Sequence, residues 1–147
     1  MEPAPTIHGS CVRVDGMGVL IRGASGSGKS TLALRLILDP PRALPPAELV
    51  ADDRVRLELE GGALLASPPD ELAGMIEMRY LGLRRLPYFQ RVPLHFVLDL
   101  DAPDAERLPR DEGAHVILQG QKLFRIAVPR GFDAALLLAA ALRTQNS

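Results

Sequence analysis

Apolar residues in this chain come mostly in short runs, and the runs predict more strands than helices. Val12 to Val14 reads as a strand that turns at Asp15-Gly16. Gly18 to Ile21 is an unbroken apolar run ending at Gly23, the pattern of a buried strand. Leu32, Leu34, Leu36, Ile37 and Leu38 predict a helix over Ser30 to Leu38, buried on most sides. Leu49 to Ala51 is a short strand ending at Asp52-Asp53. Val55, Leu57 and Leu59 alternate, and Gly61-Gly62 offers a two-residue turn into Ala63 to Ala66, a hairpin signal. Asp70 is placed to cap a helix whose apolar positions Leu72, Met75 and Ile76 fall at i, i+3 and i+4 of one another. Glu77 to Arg91 reads as arginine-rich and irregular. Leu94 to Leu100, Val116 to Leu118 and Leu123 to Val128 read as strands, and Asp133 to Leu142 as an apolar helix before a fraying polar tail.

This pattern predicts an α/β domain with a mixed sheet and not a regular βαβ repeat. Prolines at 40, 41, 45, 46, 68 and 69 mark loops inside one domain, since neither flank is long enough to fold alone. A chain of 147 residues suits one domain, residues 1–147. The formal net charge of −1 argues against a general nucleic-acid binder, which needs a basic surplus. No apolar run is long enough to span a membrane, and residues 1–5 lack the pattern of a signal peptide. The single cysteine, Cys11, forms no internal disulfide, which fits a reducing, cytoplasmic setting.

Lys29 and Lys122 are the only lysines, and Lys29 falls inside Gly23-Ala24-Ser25-Gly26-Ser27-Gly28-Lys29-Ser30. This is a complete G-x-x-x-x-G-K-[ST] phosphate loop (P-loop) between a predicted strand and a predicted helix. Its backbone N–H groups cradle phosphates, Lys29 reaches the outer phosphates and the Ser30 hydroxyl is placed for Mg2+. The loop predicts binding of a nucleoside triphosphate such as ATP. Asp52 and Asp53, at a strand end, are candidates to hold the metal and to accept a proton from a hydroxyl nucleophile.

Other chemistry is less specific. The only asparagine is Asn146, so a guanine-reading Asn-Lys-x-Asp motif is absent. His8, His95 and His115 are not spaced as a metal site, and His95 and His115 read as structural. Arg79, Arg84, Arg85 and Arg91 read as a solvated face or as contacts for an acidic or phosphorylated partner.

Several segments together resemble the bacterial HPr kinase/phosphorylase family. They are His8-Gly9-Ser10, Gly16 to Ile21 with the loop, Ala51-Asp52-Asp53-Arg54-Val55, and Ile76 to Leu83, which is similar to the family's "LEIRGLG". The resemblance covers residues 7–130. It implies a fold related to phosphoenolpyruvate carboxykinase and Mg2+-ATP-dependent phosphorylation of a serine on HPr, a carrier of the sugar phosphotransferase system. It implies metal binding by Ser30 and Glu77, proton transfer by Asp53 with Asp52 beside it, and catalytic roles for His8, Lys29 and Arg107. It also implies homo-oligomers; Leu136, Leu137 and Leu138 read either as core or as an interface. Two departures are visible. The chain resembles a short form lacking the amino-terminal regulatory domain. The family's "VPVKVGRN" segment is reduced to Val128-Pro129-Arg130-Gly131-Phe132-Asp133, so the reverse, phosphorylase activity is not expected to be retained. A small-molecule kinase and a nucleotide-binding module without transfer are the alternative readings.

Overall fold

The computed structural model describes residues 5–146. The expectation for residues 1–4, and Ser147 of the tail, lie outside the described residues. Eleven strands are present among the described residues: β1 Thr6–His8, β2 Ser10–Val14, β3 Met17–Arg22, β4 Glu48–Ala51, β5 Arg54–Glu60, β6 Ala63–Ser67, β7 Met75–Met78, β8 Gly82–Arg85, β9 Val92–Leu100, β10 His115–Leu118 and β11 Gln121–Val128. Two α-helices accompany them, α1 Lys29–Leu38 and α2 Ala134–Arg143.

Nine strands form one mixed sheet that branches at β9. The start of β9 pairs antiparallel with β6, while its length lies between β3 and β11, parallel to both. The antiparallel β2 joins β3 to β4, so β3 and β4 run the same way. Their carboxyl ends therefore point to one edge of the sheet, where ligands collect in open α/β folds.

Alternation splits the strand residues between two cores. Val12, Val14, Val19, Ile21, Leu98 and Val128 pack with Leu36 of α1 and with Ala135 and Leu138 of α2. Cys11, Leu20, Val50 and Val97 pack on the opposite face with Val55, Leu57 and Leu64 of the β5–β6 hairpin. Burial pushes the Cys11 thiol up, so it is a small apolar core residue and not a nucleophile. α1 is less enclosed than its composition suggests. Only Lys29, Ala33 and Leu36 are fully buried, and Leu38 stands in solvent.

The expected helix after Asp70 does not form. Asp70–Leu72 is a single 3-10 turn without a side-chain cap, and Met75–Met78 is a strand. Gly74 takes φ 74°, a left-handed backbone that ends the turn. A Cβ there would also stand 3.1 Å from the Tyr88 ring. The i, i+3, i+4 spacing was coincidental. Ile76 is the fully buried residue of the strand, with Met75 and Glu77 turned the other way. The region expected to be irregular holds the partner strand: β7 and β8 form a separate antiparallel hairpin, Met75 opposite Arg85 and Met78 opposite Gly82.

Candidate active site

The loop begins where β3 ends. A Cβ on Gly23 would lie 2.4 Å from Ser27 Oγ, so the loop closes on itself only with glycine there. Gly28, at φ 100°, is the N-cap of α1, with no side-chain cap and no acidic residue in the first turn. By contrast, α2 starts on Asp133, whose carboxylate accepts the Leu136 N–H at 3.2 Å. The N-terminal N–H groups and positive dipole end of α1 are thus left to an external anion. Lys29 Nζ donates to the carbonyls of Gly23 and Ala24 at 2.9 and 3.0 Å, which folds the side chain back along the loop.

Asp52 ties this loop to two other segments. Its Oδ1 accepts from Ser10 Oγ at 2.6 Å and from Ser30 Oγ at 2.8 Å, and its Oδ2 accepts from the Glu77 N–H at 3.3 Å. Asp52 is only 4% exposed, yet all its donors here are neutral. Asp53 does the opposite. It takes φ 70°, and Arg54 N–H closes a tight turn onto Asp52 O at 2.8 Å. A left-handed backbone at a non-glycine residue costs about 1 kcal/mol and is held by its surroundings. Gly9 N–H on the Asp53 carbonyl supplies one such tether. The turn sends the Asp53 carboxylate into the open, 66% exposed, with Oδ1 3.4 Å from His8 Nε2.

These groups line one cleft of about 550 Å³, together with Ser25, Thr31, Leu72, Glu77, Arg79 and Leu83. His8, Lys29, Ser30, Asp52, Asp53 and Glu77 all meet there, as do Ser25, Gly26 and Gly28 of the loop. Arg107 does not. It is exposed in the segment after β9 and is not among the residues lining the cleft. The shortened segment after Val128 also lies away from the lining. Ser30 Oγ with the Asp52 and Glu77 carboxylates is an all-oxygen donor set, which suits Mg2+. No group of three His, Cys, Asp or Glu side chains forms a ready metal cage among the described residues. Mg2+ bound with a nucleotide relies largely on water and phosphate oxygens and needs no such cage.

Sequence reading missed two features. Ser10 is buried and supports Asp52 from β2, and only its place in His8-Gly9-Ser10 hinted at this. The second is a clamp behind the loop. Asp99 accepts from Arg22 at 2.7 and 2.8 Å and from Arg125 at 2.6 Å, and Arg125 also binds Asp104. A carboxylate inside the apolar run Leu94 to Leu100 was the available signal. Burial raises the Asp99 carboxyl, but the bonds and charges of Arg22 and Arg125 outweigh it and hold it below the usual range.

Comparison with known proteins supports one family. The HPr serine kinase C-terminal domain matches residues 1–87. An HPr kinase/phosphorylase of Clostridium novyi is 33% identical over 96% of this chain and 48% of its own length. One from Clostridium tetani is 42% identical over 59% of this chain and 27% of its own. The chain thus spans at most about half the length of these curated relatives. The structure of the HPr(Ser) kinase/phosphatase from Coxiella burnetii superposes with a TM-score of 0.76 at 28% identity, covering 95% of this chain and 88% of that one. By its sequence match, its sheet and its loop, the chain belongs to the HPr serine kinase family, in the part that forms the C-terminal domain.

Proposed function

We propose that this cleft moves the γ-phosphoryl group of ATP to a serine hydroxyl of HPr, within one catalytic domain. The observation that carries this reading is the division of labour between adjacent aspartates. Asp52 is buried and bonded to Ser30 of the loop, while Asp53 is turned into the cleft beside His8. The names of the relatives supply the acceptor: they are HPr kinases.

The loop amides and Lys29 bind the phosphates, and α1 adds its positive end. Ser30, Asp52 and Glu77 would hold Mg2+, which when bound would neutralise charge on the phosphates. Asp53 takes the proton of the serine hydroxyl as its oxygen forms a bond to the γ phosphorus. The bond from that phosphorus to the bridging oxygen breaks, and ADP leaves with the electron pair. His8, 3.4 Å from Asp53, orients the carboxylate and shares its proton. Such a reaction belongs in the cytoplasm.

Labelled ATP offered with HPr, and separately with a panel of small hydroxyl metabolites, tests the acceptor. Label on HPr alone is the expected result, whereas label on a metabolite with HPr untouched refutes the protein-kinase reading. Replacing ATP with inorganic phosphate and starting from phosphorylated HPr tests the reverse reaction, which is expected to be weak.

A further inference from the structure

The phosphate loop leaves the sheet at a point where the sheet holds it from one side. Pairing between β2 and β3 ends with Ser10 opposite Ile21, whereas pairing with β9 runs one residue further, to Arg22 opposite Asp99. Arg22 is therefore the last strand residue before Gly23, and Asp99 is its neighbour across the ladder. Their side chains close a two-pronged bond, Arg22 Nε to Asp99 Oδ1 at 2.7 Å and Arg22 Nη2 to Asp99 Oδ2 at 2.8 Å. A fork of this kind fixes direction as well as distance.

Asp99 is itself held from behind. Arg125 Nε donates to its Oδ2 at 2.6 Å, and the rest of that guanidinium binds the Asp104 carboxylate at 2.7 and 3.0 Å and the Gly113 carbonyl at 3.1 Å. Two guanidinium groups meet two carboxylates, so the cluster carries no net charge and its contribution to the loop is geometric. The path from it to the loop is one residue long on each strand. A Cβ on Gly23 would stand 3.3 Å from Leu100 Cβ, so the loop entrance rests on the residue after Asp99. The Gly23 carbonyl, next to Arg22, accepts from Lys29 Nζ. Beneath the loop, the Ser27 hydroxyl is sealed from solvent and has no hydrogen-bond partner among the described residues. The underside of the loop thus gains no tie from that side chain.

We propose that Asp99 is a positioning residue for phosphate binding: through Arg22 it sets the Gly23 carbonyl, and with it the direction of Lys29 and the start of the amide cradle. This rests on the loop binding nucleotide phosphates. A cradle of backbone N–H groups holds an anion only when those groups converge, and small displacements of such a shell are costly.

The test titrates Mg2+-ATP and Mg2+-ADP into wild type, Asp99→Asn, Arg22→Lys and Asp104→Asn. Each is held at a temperature where circular dichroism shows it folded, so that lost stability and lost affinity are read apart. Charge and geometry predict opposite signs. Removing a negative charge near the loop favours phosphates by Coulomb attraction alone, whereas losing the fork disfavours them. Asp99→Asn is expected to weaken ATP and ADP about tenfold and by the same factor, since both nucleotides use the loop. Arg22→Lys keeps the charge without the fork and should weaken both about threefold. Asp104 is exposed and bonds to Arg125, not Arg22, so Asp104→Asn should stay within about twofold of wild type. Unchanged or tighter binding by Asp99→Asn overturns the proposal and leaves the nucleotide-binding reading intact, as does an equal loss in Asp104→Asn. Should Asp99→Asn fail to fold, unchanged binding by Arg22→Lys overturns it in the same way. A wild-type chain that binds neither nucleotide overturns both.

Discussion

Asp52 and Asp99 are both largely buried carboxylates near the carboxyl ends of strands in one sheet, but they are satisfied in different ways. Asp52 takes two hydroxyls and an amide, all neutral. Asp99 takes two guanidinium groups. The Asp99 cluster is closed, because its charge is already matched, and it joins β3, β9 and β11 directly behind the loop. The Asp52 cluster is organised but not neutralised by its contacts. A buried carboxylate held only by neutral donors retains its demand for a cation. The first arrangement serves as a clamp and the second as a binding site. Counting charged residues in the sequence cannot separate them, because the donors decide.

The contrast is broken most severely at the reacting end. Asp53→Asn is expected to lower transfer to HPr by about 1,000-fold, within the range for loss of a general base. Nucleotide affinity should stay within about threefold, because Asp53 touches neither the loop nor Lys29. A variant that loses nucleotide binding in a fluorescence titration would show instead that Asp53 supports the loop.

At the clamp the larger expected effect is on folding. Asp99→Ala leaves Arg22 and Arg125 without their shared carboxylate and should cost about 3 kcal/mol in urea unfolding. Asp52→Asn keeps the shape and still accepts the Ser10 and Ser30 hydroxyls through its one oxygen, losing only the bond from the Glu77 N–H, so the loss should be about 1 kcal/mol, with the main damage in Mg2+-dependent nucleotide binding. Equal destabilisation by the two variants would erase the distinction.

Acid sharpens the comparison further. The carboxyl of Asp99 is depressed in the folded protein, so its stabilisation is complete above the unfolded value of about 3.9 and declines as pH falls through the lower folded value. Wild type and Asp99→Asn should therefore differ at neutral pH and converge in stability as pH falls through the lowered folded value. A gap that stays constant on acidification contradicts the ion-pair account.

The smallest effect lies at the hairpin tip. Tyr80 is fully exposed at φ 70°, a backbone where glycine is at ease. Tyr80→Gly should raise stability by about 0.5 kcal/mol in thermal unfolding and leave nucleotide affinity unchanged. Lower ATP affinity would mean that the tyrosine supports the cleft.

What could be read from the sequence follows from the distance over which each feature is encoded. The loop from Gly23 to Ser30 is local, and so are the Asp52-Asp53 pair and the Gly61-Gly62 turn. All three are found where expected. The β7–β8 hairpin was obscured because Leu72, Met75 and Ile76 mimic helical spacing, while Gly74 and pairing with Gly82 to Arg85 decide otherwise. β1 is short and lies at the sheet's edge beside β5, so its alternation carries no signal. The Asp99 clamp joins residues 77 and 26 positions apart. Nothing in a local pattern reports such a meeting. Arg107 is exposed after β9 and is not among the residues lining the cleft, so its role rests on the resemblance alone.

The most direct test of the central claim is intact mass spectrometry of HPr after incubation with Mg2+-ATP and this chain, followed by mapping of the modified residue, with Asp53→Asn run in parallel. The expected result is one phosphoryl group on a serine of HPr with wild type and none with the variant. HPr left unmodified by a wild-type chain that binds Mg2+-ATP would contradict it.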